Sequence, residues 1–285
     1  MRDNHIHSRK RAATFLWVAI TIGLVACAAD PGARRTRRVM SEEDEIKLGA
    51  EAAQQVEQYM GFSGSAELNA YVDRIGQRLA KQSSRSHLMY EFHVVDMAEP
   101  NAFALPGGHI YVSRGLLVIM NSEDELAAVL GHEVSHVLLR HGNERMSQSI
   151  LADATVNAAS VAAGGAAPAY QDMIVGGLGV GAQFGVLLPF SRKHESEADE
   201  VGQMFMAQAG FYPAEAITLW QNMAQQGGEA PKQWQSTHPS DTTRIQKLHA
   251  NLPAAMQAYE MARAAGKDPT CEPPPDEWIA PEALP

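Results

Sequence analysis

The sequence predicts an α+β domain, mainly helical with a small β-sheet, and three observations carry that prediction. Helical periodicity lies on both sides of one short region of strand periodicity. Within that region Pro106-Gly107-Gly108 separates two strand-like runs, a hairpin signal. Capped helix starts precede and follow it, so helices and sheet are segregated along the chain rather than alternating.

The elements follow in order. Ser41 is an N-cap, Glu42, Glu43 and Asp44 form an acidic first turn, and the helix runs to Met60. Ala66 to Gln82 places Leu68, Val72, Ile75 and Leu79 at helical spacing. Tyr90 to Val95 alternates and is rich in aromatic and branched residues, a strand. Asn101 to Leu105 and His109 to Ser113 are the arms of the hairpin. Ser122-Glu123-Asp124-Glu125 is a capping-box pattern, with Glu125 expected to reach back to the cap. The helix it opens carries Leu126, Val129, Leu130 and Val137 and ends around Arg140-His141-Gly142. A last helix is expected from His194 to about Gln208, stopped by Gly210.

The chain has 285 residues and a formal net charge of −10, which excludes a nucleic-acid-binding surface as its main business. Residues 1–26 read as a signal peptide: Arg2, Arg9, Lys10 and Arg11 precede the apolar run Ala12–Ala26, which is short for a membrane span. Leu24-Val25-Ala26-Cys27 resembles a bacterial lipobox, so Cys27 is the expected lipidation site and residues 27–40 a basic linker. With Ala28 after it, the expected location is the bacterial periplasm, anchored by lipid to the outer membrane. Cys271 would then be the one remaining thiol, and the fold must rely on its core and on metal. The folded domain is expected at 41–253 and a Pro-rich, weakly ordered tail at 254–285. Residues 173–190 carry no charge and have glycines at four-residue spacing; a segment packed beside the site is favoured over a membrane span.

The chemistry centres on His132-Glu133-Val134-Ser135-His136. Histidines four apart on a helix project to one side, where both imidazoles can bind one tetrahedral ion, and Glu133 sits beside them to accept a proton from water. By composition, such a pattern arises by chance in about 3% of chains like this one. Two satisfied histidines on a buried helix would give the same letters, so a third ligand must be found. Spacing alone leaves Glu195, Glu197 and Asp199 all open for that place. His141, projected along a continuing helix, falls about 140° beyond His136 and is not expected to ligate.

Three segments in this order resemble a family of zinc peptidases. They are Asn101-Ala102-Phe103-Ala104-Leu105-Pro106-Gly107-Gly108, then His132–His136 with Arg140-His141, then Glu195-Ser196-Glu197-Ala198-Asp199. The family is that of the CAAX prenyl proteases and HtpX, and the nearest likeness is to soluble periplasmic lipoproteins of the LoiP and BepA type. The resemblance implies a zincin-like (gluzincin) fold, one Zn2+ per chain held by His132, His136 and Glu195, and Glu133 as catalytic base. It implies Asp199 as the partner behind a ligating histidine. It also places His238, in Ser236-Thr237-His238-Pro239, at the metal's fourth position as ligand or plug. Arg244 is the candidate stabiliser of the oxyanion, or else an anchor for the His238 loop. Residues Asn101, Ala102, Phe103 and Ala104 resemble the edge strand along which an extended substrate adds.

The expected function is therefore endopeptidase cleavage of unfolded or misfolded cell-envelope proteins. Docking to the outer-membrane assembly machinery is not carried over, because the C-terminal helical-repeat region of BepA-like members has no counterpart here. The rival readings are an integral-membrane zinc peptidase and a non-catalytic, metal-stabilised binding module. Glu133 argues against the second, since a structural site needs no base.

Overall fold

The structure, a computed structural model, describes residues 40–148, 189–225, 238 and 242–268. Helix α1 spans Glu42–Met60 and α2 Ala66–Ala80; strand β1 is Glu91–Val95, β2 Ala102–Ala104 and β3 His109–Ser113. A short helix α3, Arg114–Val118, leads into α4, Glu123–Leu139, and residues 141–148 are again helical. Then come α5, Arg192–Ala209, α6, Glu215–Gln225, and α7, Thr242–Ala264. This is the expected α+β, zincin-like arrangement. The leader, Cys27, the basic linker, residues 173–188 and Cys271 lie outside the described residues.

Local signals explain most element boundaries. Ser41 closes a reciprocal box: its Oγ accepts from the Asp44 amide, and the Asp44 carboxylate accepts from the Ser41 amide. At α4 the serine behaves as expected, Ser122 Oγ accepting from Glu125 N at 3.1 Å. Glu125, however, does not return to the cap; its carboxylate accepts from the amide of Asn121 at 2.6 Å, one residue further out. Between β2 and β3, Gly107 and Gly108 adopt φ 86° and 112°, values a side chain would disfavour, and this lets β2 fold back on β3.

The sheet order is β1-β3-β2, with β1 parallel and β2 antiparallel to β3, so β2 is the outer strand. One face packs on α2 and α4, burying Ile75, Leu79, Ile110, Val112 and Leu130. Phe103, Leu105 and Tyr111 form a smaller cluster with Ala52 and Val56 of α1. Helix α4 is not amphipathic: every residue from Glu125 through Val137 is buried, as expected of a helix enclosed on all sides.

The expected domain end at Pro253 needs correction. Helix α7 continues through Pro253 to Ala264. Leu248 and Ala255 are buried with Leu252 partly so, and Ala262 is buried a further two turns on. That apolar stripe outweighs the roughly 3 kcal/mol cost of an internal proline. Among the described residues no helix is long and apolar enough to cross a membrane.

Helices α4 and α5 touch backbone to backbone at Gly131 and Gly202. A Cβ on Gly202 would lie 2.8 Å from both Gly131 C and His132 N. Gly202→Ala is therefore expected to force the helices apart beneath His132. Stability should fall by about 1–3 kcal/mol, read by denaturant unfolding, and bound metal should fall with it. An unchanged unfolding midpoint would show that the crossing tolerates a methyl group.

Candidate metal centre

The site is built where α4 crosses α5. His132 and His136 stand one turn apart on α4, and Glu195 and Asp199 one turn apart on α5. Ser191 caps α5, its Oγ accepting from His194 N at 3.2 Å, so Glu195 falls in the first turn. His238 enters from the segment before α7. Donor atoms of His132, His136, Glu195 and His238 all lie within 4.8 Å of one another, and all four residues are buried.

The contacts inside this group show what it can hold. Nε2 of His132 and Nε2 of His136 face each other at 3.0 Å. Nδ1 of His238 is 3.2 Å from His132 Nε2 and 3.2 Å from both carboxylate oxygens of Glu195. Glu195 reaches His132 Nε2 at 3.4 Å and His136 Nε2 at 3.5 Å. Facing imidazole lone pairs beside a carboxylate call for a shared proton or a cation, and three nitrogens with one carboxylate oxygen are a donor set that zinc accepts.

Glu133 supplies a second test of fit. Among the described residues both of its carboxylate oxygens are buried without a hydrogen-bond partner, and His238 Nε2 stands 3.5 Å from one of them. Burying an unpaired carboxylate is costly, so the residue suits a function rather than the fold. Burial raises the Glu133 carboxyl above its ordinary range, partly offset by His238 and His132. Glu195 runs the other way: burial would raise it, but His238 and Arg244 together hold it well below. Two adjacent carboxyls are thus driven apart, one toward proton acceptance and one toward permanent charge.

Asp199 stands behind His132, its Oδ1 2.9 Å from Nδ1. Burial alone would lower His132, yet pairing with Asp199 and Glu195 raises it to about 9. His136 has no carboxylate behind it; burial and the neighbouring His132 hold it well below its ordinary value. Arg244 is fully enclosed. It donates from Nε to Asp199 Oδ2 at 2.6 Å and from Nη2 to Oδ1 at 2.7 Å, and its Nη1 lies 2.9 Å from Glu195 Oε2. The guanidinium also lies 3.7 Å above the Trp220 ring. These three contacts are all to the two α5 carboxylates.

Asn101, Ala102, Phe103 and Ala104 form the outer strand β2 and its lead-in; Asn101 and Ser113 exchange two hydrogen bonds of 2.8 Å. The far end of this strand, at Ala104 and Leu105, lines one narrow pocket together with His136, Arg140 and Phe190. Glu197, open by spacing, points away from the donor group toward His141.

Two contributors were not found by sequence reasoning. Phe190 stacks on His136 at 3.9 Å and is itself covered by Arg145 at 3.9 Å. His141 packs against the back of His136, 3.0 Å between their Nδ1 atoms. His141 is not among the clustered donors, as expected, but helical projection did not reveal its contact with His136. In fact Arg140 is left-handed, φ 59°, and turns the chain at that point. A left-handed arginine costs about 1–2 kcal/mol, offset by Arg140 Nε on Glu45 at 2.8 Å and Nη2 on the Met40 carbonyl at 3.0 Å. Nothing in the sequence marks this pairing, since Glu45 is one of four acids in the first turn of α1.

An α+β domain with a two-helix His/Glu cluster and a mixed sheet ending at its rim defines the zincin-like metallopeptidase class. The chain matches peptidase family M48 over residues 66–252, well over half its length, and belongs to that family. It is 40% identical over 194 residues to mitochondrial metalloendopeptidase OMA1 of Schizosaccharomyces pombe, covering 67% of this chain and 55% of that protein. To the protein of the same name from Saccharomyces cerevisiae it is 34% identical over 183 residues, 61% and 50%. To the beta-barrel assembly-enhancing protease of Escherichia coli K12 it is 26% identical over 249 residues, 83% and 51%. The chain spans about half the length of these curated relatives. Two expectations change. The nearer likeness is to the OMA1 proteins, with the assembly-enhancing proteases more distant. The placement as an outer-membrane periplasmic lipoprotein is overturned, since the relatives of higher identity are mitochondrial by name; the short leader motif around Cys27 carried that placement without support from the domain itself.

Proposed function

We propose that this chain is a zinc-dependent endopeptidase in which His132, His136 and Glu195 hold the metal and Glu133 transfers protons. The observation that carries the reading is Glu133, a wholly buried carboxylate with no hydrogen-bond partner beside four clustered donor atoms. A structural metal site has no use for that group. The names of the relatives, metalloendopeptidase and protease, support the same class.

When bound, zinc supplies Lewis acidity, which acidifies water and polarises a scissile carbonyl. The residues of the chain do the rest. Glu133, its carboxyl drawn upward by burial, accepts the water proton and delivers it to the leaving amine. Asp199 holds His132 by its rear nitrogen, and Arg244 holds Asp199 and Glu195 in register. An extended polypeptide adds along β2, residues 102–104, through main-chain hydrogen bonds, which selects unfolded segments over any one side chain. Unfolded or misfolded protein is accordingly the proposed substrate class.

His238 supports a second statement about the same site. Its Nδ1 sits among the donors, so it would serve as a fourth ligand when zinc is bound and would compete with water for the metal. On this reading the resting enzyme is restrained until His238 leaves the donor group. The experiment measures zinc content and casein cleavage for wild type and His238→Ala, with and without a chelator. One zinc per chain is expected, with chelator-sensitive cleavage that rises about tenfold in His238→Ala, the change expected when a competing ligand worth about 1.4 kcal/mol is removed. Cleavage indifferent to chelation would sink the metal mechanism. Lower activity in His238→Ala would remove the restraint and leave the peptidase.

A further inference from the structure

We infer that His141 and Glu197 are positioning residues for His136, forming an imidazole–carboxylate relay that fixes its tautomer and aims Nε2 at the metal centre. The inference rests on the metal-peptidase reading above and deepens it. The two α4 histidines are held from behind in different ways. His132 meets a carboxylate directly, through Asp199. His136 meets another imidazole, Nδ1 to Nδ1 at 3.0 Å, and the far nitrogen of that ring, His141 Nε2, lies 3.4 Å from Glu197 Oε2.

One arrangement of protons satisfies this chain of three. Glu197, a carboxylate, accepts only, so the proton of His141 sits on Nε2. Nδ1 of His141 is then a lone pair and accepts from Nδ1–H of His136. Nε2 of His136 is left with its lone pair on the side of Glu195 and His132, as a metal ligand requires. The reverse polarity would aim a bare nitrogen of His141 at a carboxylate and put a proton where the ligand lone pair belongs. Water cannot take over, because His136 and His141 are 2% and 1% exposed.

The fold builds this relay deliberately from separated parts. The left-handed Arg140 swings His141 behind His136, and His194 stacks flat on the His141 ring, centroids 4.4 Å apart and 20° between planes. Helix α5 thereby supplies a donor at Glu195 and, two and four residues on, the carboxylates that terminate both histidine chains, Glu197 and Asp199. The side chain of Glu197 is 17% exposed, so it can be changed without opening the core.

The test titrates the metal-free full chain with Zn2+ against a chromophoric chelator, and records imidazole N–H resonances of the zinc-loaded protein. His141→Phe keeps a ring stacked on His194 but is expected to bind zinc about 10–100-fold more weakly. A slowly exchanging Nδ1–H signal of His136 is expected in wild type and should move upfield or vanish in the variant. Glu197→Ala should lose affinity severalfold, and Glu197→Gln, which still offers an accepting oxygen, should recover most of it. If His141→Phe fails to fold, the Glu197 pair decides by the same readouts. Wild type that binds no zinc overturns the metal-centre reading and this inference with it. Wild-type binding with unchanged affinity in His141→Phe, or equal affinity in Glu197→Ala and Glu197→Gln, overturns the relay alone.

Discussion

Glu133→Gln is expected to lower kcat by about 10²–10⁴-fold while leaving zinc content at the wild-type level. The substitution is isosteric and removes only the group that accepts and returns the proton. It also removes an unpaired buried charge, so stability should move in the opposite direction from activity. The sign follows from the upward displacement of the carboxyl by burial. A carboxyl whose folded-state value exceeds its unfolded value binds more protons when folded, so its contribution is present at low pH and lost as pH rises through the folded value. Above that range the ionised wild type carries the penalty and the glutamine variant does not. Metal-free Glu133→Gln should therefore melt at or above wild type at neutral pH, with the difference shrinking in acid. A stable, zinc-loaded variant with wild-type cleavage would end the case for Glu133 as the base.

Arg244→Ala should give the largest loss of stability of any single change in the site. The guanidinium is bidentate to Asp199 and also contacts Glu195, with no route to solvent. Truncation leaves two buried carboxylates with His132 as the cation they still share, a loss of about 3–5 kcal/mol. For a domain of this size that corresponds to a fall in Tm of about 10 °C or more, measurable by calorimetry of the metal-free chain. Released from the guanidinium, Asp199 and Glu195 should both hold protons more readily, since burial alone raises them. Zinc affinity should then fall most at mildly acid pH. An oxyanion role makes a different prediction: Tm and zinc binding unchanged, with kcat alone reduced. Arg244→Lys separates the two further, because one ammonium cannot reproduce the fork that spans both oxygens of Asp199.

Much of the architecture was legible before any coordinates because it is written in local chemistry. Ser41 and Ser122 each accept from the amide three residues on, and caps of this kind depend only on neighbouring residues. The alternation from Glu91 to Val95 and the Pro106-Gly107-Gly108 turn likewise act within a few bonds. The errors fall where a distant partner overrides the local rule. Pro253 would end an isolated helix, but packing of Ala255 and Ala262 carries α7 past it. Arg140 would not be chosen for a left-handed position, yet Glu45, ninety-five residues earlier, holds it there. His141 stays out of the donor group, as expected, but its place behind His136 follows from that turn.

The sequence by itself determined the pair His132 and His136 on one helical face, Glu133 between them, and an acidic second helix able to add a third donor. Four-residue spacing on a helix leaves no freedom in that, since 1.5 Å rise and 3.6 residues per turn dictate which side chains share a face. Spacing left Glu195, Glu197 and Asp199 open and the family resemblance pointed to Glu195; the tertiary structure gives each its own neighbours. All three sit within five residues on α5, and the crossing at Gly131 and Gly202 gives each a different neighbour. Glu195 meets the imidazoles from the front, Asp199 receives the back of His132, and Glu197 receives His141. That assignment depends on where one helix lies against another to within an ångström or so, and no spacing rule along a single chain contains that distance.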